Sequence, residues 1–155
     1  MSVKDFFEWA DALWVSAMIR DSTVLFPIIE TVHILALTVF LGSIVLLSMR
    51  LMGAGLKQLA VRKLAATLAL FTNWGLATML ASGALLFGSE AVKCYENPPF
   101  FFKMGMLAAA LVFHFLVMRP TLNAEAGKAR QMLTGTLALL LWFGVGVGGR
   151  AIGFY

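Results

Sequence analysis

Four apolar runs, each near the ~20 residues a helix needs to cross a hydrocarbon layer, decide what this chain can fold into. They cover about residues 24–49, 64–87, 100–118 and 132–147. Between and before them lie the charges, and these are few. Of 155 residues, 61% are hydrophobic and 13% charged. A soluble domain is about 45–50% apolar and about a quarter charged. So little charge cannot cover so much apolar surface in water, so lipid must be the solvent. The length allows one domain, residues 1–155. The expected fold is therefore all-α: an integral membrane four-helix bundle. Pro27 sits in the first turn of the first run, where proline is tolerated. Asn97-Pro98-Pro99 breaks the chain before the third run, and Arg119-Pro120 ends it. The fourth run is the shortest and ends in Gly148-Gly149-Arg150.

Residues 2–20 are apolar but interrupted by Lys4, Asp5, Glu8, Asp11 and Arg20, which argues against a signal-peptide core. Phe6, Trp9, Leu13 and Ala17 recur at helical spacing, as do Phe7, Trp14 and Met18. This predicts an amphipathic helix over 2–20, lying in the membrane interface and anchored by its aromatics. Ser22 or Thr23 caps the span that follows.

The loops give an orientation. Residues 50–63 hold Arg50, Lys57, Arg62 and Lys63 with no acid, and 119–130 hold Arg119, Lys128 and Arg130 against Glu125. These loops share one side, and the positive-inside rule makes it cytoplasmic. Both termini and the 88–99 loop then face outward, the periplasmic side of a bacterial inner membrane. Most of the acids are there: Asp5, Glu8, Asp11, Asp21, Glu90 and Glu96. The net charge of +4 is loop charge, with no basic face for nucleic acid. The single cysteine, Cys94, excludes an internal disulfide and any multi-cysteine metal site.

Glu30, His33, Lys103 and His114 break the apolar pattern inside the runs. Ionisable groups at membrane depth are costly and point by default to function. The two histidines are the only two in the chain. Neutral imidazole on facing helices is a natural haem ligand, so a haem b held by His33 and His114 is the leading expectation. Depth works against pairing them: His33 lies about 14 Å below Val24 and His114 about 21 Å below Phe100, at 1.5 Å per residue. Met79 and Met106 fall nearer the depth of His33 and are alternative second ligands, because His/Met ligation also serves haem. Gly42, Gly75, Gly83, Gly105, Gly144 and Gly146 are small enough to lie under a flat ring. Lys103 and Arg150 fall toward the outer face, where propionates need cations. Glu30 pairs with Arg20, Lys103 or Arg150, or carries protons, and Asn73 or Trp74 donates a hydrogen bond.

Three bounded alternatives remain. Glu30-x-x-His33 is half of a di-iron carboxylate pattern, but the second half is missing. Nine methionines suggest copper, yet none cluster at short spacing with histidine. The glycine run 144–149 lacks the Lys-Ser/Thr of a phosphate loop. Two haem-free functions stand beside the cytochrome: an accessory subunit of a larger membrane complex, or a small transporter or metal-handling protein with Glu30, His33 and Lys103 lining a path.

Ile19-Arg20-Asp21-Ser22, Leu25-Phe26-Pro27, Glu30-Thr31-Val32-His33, Gly42-Ser43 and Met49-Arg50-Leu51 resemble a family of small, uncharacterised bacterial membrane proteins. The likeness continues through Trp74-Gly75, Gly83, Asn97-Pro98, Phe100, Lys103 and Phe113-His114, covering roughly 14–119. Its most specific element is Leu-Phe-Pro-x-x-Glu-x-x-His. The resemblance implies four transmembrane helices and no particular activity. More loosely, the chain is similar to small b-type membrane cytochromes, which implies haem, electron exchange with a quinol, and membrane or periplasmic redox partners. Two histidines allow at most one bis-histidine haem, where the usual di-haem version needs four.

Overall fold

The structure, a computed structural model, describes residues 2–123 and 126–154; Glu125, counted in the second basic loop, lies outside them. Helices α1 (Val3–Asp11) and α2 (Trp14–Asp21) precede the long α3 (Leu25–Met52) and α4 (Val61–Ser89). A short α5 (Ala91–Tyr95) follows, then α6 (Pro98–Phe113). Helix α6 passes through a π-helical turn, His114–Met118, into α7 (Arg119–Asn123), and α8 runs Lys128–Ile152. Four helical stretches are long and apolar enough to cross a membrane: α3, α4, the continuous Pro98–Asn123, and α8.

Each span outruns its apolar core. The fourth, expected as the shortest at 132–147, is a helix of 25 residues, since the flanking polar residues keep helical hydrogen bonds once the run is nucleated. Local chemistry explains the ends. Gly53 closes α3 in the left-handed region, φ 71°, while Gly53 and Ala54 N–H groups donate back to Arg50 and Met49 carbonyls, a Schellman arrangement. Pro98 opens α6 at the position where its missing N–H costs nothing. The Asn97 side-chain amide donates to the Ile152 carbonyl at 3.1 Å, tying the start of α6 to the end of α8.

The N-terminal segment is two helices where one was expected over 2–20. It bends at Leu13, whose backbone is extended. Ser16 Oγ donates to the Ala10 carbonyl at 2.7 Å, and Arg20 folds back on Asp11 at 2.8 Å while donating to the Ser89 carbonyl. The bend lets both pieces pack on the bundle. Phe7 is buried among Phe87, Tyr95, Phe100 and Phe101. Trp9 and Trp14 stay exposed, as membrane-interface aromatics do.

Around the bundle the order is α4, α3, α8, α6. Its core is Phe40, Ile44, Ala110, Met118, Ala138 and Trp142. Small residues set the close approaches. A Cβ on Gly75 would stand 3.1 Å from Phe40 Cβ, and one on Gly135 only 2.8 Å from the Ser48 carbonyl oxygen. Helix α4 meets the third span at both ends: Arg119 of α7 donates to Asn73 Oδ1, and Phe87 stacks on Phe100 of α6 at 5.5 Å between ring centroids. Between these two contacts the α4 and α6 backbones do not approach closely. Large apolar side chains such as Trp74, Leu116 and Phe143 face outward, a surface that only lipid can cover.

Candidate functional site

His33 lies on α3 facing α4. Its Nδ1 is 3.0 Å from Ser82 Oγ. The Ser82 hydroxyl already donates to the Thr78 carbonyl at 2.6 Å, so towards His33 it accepts. This fixes the Nδ1–H tautomer and leaves a lone pair on Nε2. Gly83 makes room for the ring: a Cβ there would stand 3.1 Å from His33 Cε1. Lys103 and Glu30 both lie within Coulombic reach of the imidazole.

Lys103 is half-buried, its stem laid across α8. Cβ atoms on Gly148 and Gly149 would meet it at 3.0 and 3.6 Å. Glu30 is exposed on α3 and makes no ion pair among the described residues, whereas Arg20 is taken by Asp11 and Asp21. Met106 rests its methyl on Gly144, and Met79 is buried in the core. Met106 lies eight residues into α6 and His33 eight into α3, two spans running the same way. Each is thus about 12 Å along its own helix.

His114 stands elsewhere. It opens the π-helical turn, 1% exposed, against Phe40 at 6.1 Å between ring centroids. Phe40 is two turns beyond His33, about 10 Å further along α3, so His114 packs against a deeper level of that helix. Two imidazoles on one metal ion need their nitrogens only about 4 Å apart, at ~2.0 Å per bond. The two rings have separate surroundings, His33 on Ser82 and His114 against Phe40. Among the described residues, neither His114 nitrogen has a hydrogen-bond partner, and the Trp142 indole nitrogen also lacks one. Two orphaned nitrogens burden the fold, so His114→Leu should raise stability by about 1–3 kcal/mol, read as a higher melting temperature in detergent. A matching loss would instead reveal a partner at that ring.

Arg150 is set apart from Lys103. It is two residues beyond Gly148, hence roughly 200° round the helix. It lines a groove between α3 and α8, with its guanidinium over Phe154 at 4.3 Å. Trp74 faces outward, and Asn73 accepts from Arg119 rather than donating into the bundle. Among the described residues, no three or more His, Cys, Asp or Glu side chains cluster as a metal cage. The sequence reading named Gly83 among the small residues for a flat ring but passed over its neighbour Ser82. Their signal is a small polar pair inside an apolar run, which is as common in plain helix packing.

Cys94, in α5 outside the spans, is half-buried. Burial pushes its thiol up to about 11, against a smaller opposing pull from Lys103. Only the thiolate alkylates. Labelling by N-ethylmaleimide should therefore be slow at pH 8, where about a thousandth is ionised, and rise tenfold per pH step without a plateau below about pH 11. A plateau near pH 9 would contradict this burial.

Taken together, this is an integral membrane protein: a lipid-embedded four-helix bundle carrying polar groups at depth. The chain belongs to the family of unknown function DUF6644, whose model matches residues 6–155. Comparisons with curated proteins and with solved structures found no match.

Proposed function

We propose that this bundle is a b-type cytochrome-like protein that holds one haem on His33 and passes electrons within the membrane. One observation carries the reading: an intramembrane imidazole whose Nδ1 is held by Ser82 at 3.0 Å, which leaves Nε2 to act as the ligand. Metal-ligating histidines characteristically have the second nitrogen held this way. The group fits the residues present. Gly83 admits the ring, the wide spacing of the α4 and α6 backbones inside the Phe87–Phe100 contact leaves room beside it, and Lys103 supplies a cation at the outer end for a propionate. Met106, the same number of residues into its helix as His33, is the favoured second ligand, ahead of Met79 and of His114.

Bound haem would supply a one-electron couple. The chain's own residues orient the ligand, exclude water from the membrane-depth side, and offset negative charge. By the positive-inside rule the His33 half faces outward, toward quinol or a periplasmic partner, and the basic loops face the cytoplasm.

Titration of the purified protein with haem tests this. Saturation at one haem per chain is the expected result. No uptake at micromolar haem would leave the bundle as a haem-free accessory subunit.

A further inference from the structure

The α3–α8 groove takes no part in the proposed haem site. It encloses about 540 Å³ and is walled by Leu41, Ile44, Leu140, Phe143 and Gly146, with Arg150 at its outer end. Along α8 it runs from Leu139 to Arg150, about 16 Å at 1.5 Å per residue. That is about half of a ~30 Å hydrocarbon layer, the depth of one leaflet. Arg150 lies in the last turn of α8, from where a long side chain can reach up to the headgroups, and pairs with no carboxylate among the described residues. Phe154 holds its guanidinium in place.

We infer that this groove is a binding site for one anionic phospholipid of the leaflet at the α8 C-terminus. The acyl chain lies between α3 and α8, and the phosphate sits on Arg150. Apolar walls with a single cation at one end match that shape. A quinone ring would instead need hydrogen-bond partners at its carbonyls, and the walls offer none below Arg150. Gly146 is part of the design. A Cβ there would meet nothing within 4 Å, so the space is left to the ligand.

Native mass spectrometry of protein from bilayers of equal phosphatidylglycerol and phosphatidylcholine tests the site. The wild type should retain phosphatidylglycerol about fivefold over phosphatidylcholine, the worth of one basic side chain at an anionic surface. Arg150→Gln should abolish that preference. Gly146→Leu, projecting into open space and so leaving the melting temperature unchanged, should cut retention of both lipids. Equal retention by the wild type, wild-type preference in Arg150→Gln, or displacement of the lipid by equimolar ubiquinone would each overturn the assignment.

Discussion

Gly135→Leu is expected to lower the unfolding free energy by about 3 kcal/mol, the upper end of overpacking costs. The first atom of any side chain at this position would stand 2.8 Å from the Ser48 carbonyl oxygen, with Met52 and Leu51 at 3.0 and 3.1 Å. The obstacle is backbone, so no rotamer change relieves it and α3 and α8 must separate. These helices also share Phe40 and Trp142, whose rings meet at 4.5 Å, so the separation spreads into the core. Gly146→Leu makes the same chemical change on the same helix where a Cβ meets nothing within 4 Å, and it should leave stability nearly unchanged. Thermal unfolding in detergent, followed by circular dichroism, separates the two. Equal melting temperatures would mean that α3 and α8 do not pack as described.

His33→Ala is expected to abolish haem uptake, and Ser82→Ala to weaken it by about 10- to 100-fold, the usual cost of losing a group that orients a metal ligand. The order of effects follows from the geometry. Alanine at 33 removes the lone pair itself. Alanine at 82 leaves the ring but frees both its orientation and its tautomer, since the Nδ1–H bond at 3.0 Å is lost. Haem titration by absorbance measures all three proteins. His33→Ala binding as tightly as the wild type would remove this residue from the site. Ser82→Ala binding unchanged would show that the tautomer is set by something else.

The four spans were legible because hydropathy is a summed property, insensitive to error at any one position. Their ends were less so. Lys128–Gln131 and Gly148–Ile152 look like loop by composition, yet they continue α8 because an established helix extends cheaply through polar residues. The bend at Leu13 left no mark of the ordinary kind, neither proline nor glycine. It depends on Ser16 reaching the Ala10 carbonyl and Arg20 reaching Asp11, pairings that only the folded chain reveals. Within the site, His33, Lys103 and His114 stood out as polar residues in oil. Their grouping did not, because azimuth around a helix decides which neighbours meet. Arg150 and Lys103 appeared equivalent by depth but face different neighbours. The π-helical turn at His114 likewise shifts every later residue of that span around its axis, and periodicity counted at 3.6 misses it.

The central claim is haem on His33, and the absorption spectrum tests it most directly. Protein expressed with ample haem and purified in mild detergent should show a Soret band and, after dithionite, sharp split α and β bands of low-spin haem, all absent from His33→Ala. A colourless wild type, or an identical spectrum in His33→Ala, would contradict the account.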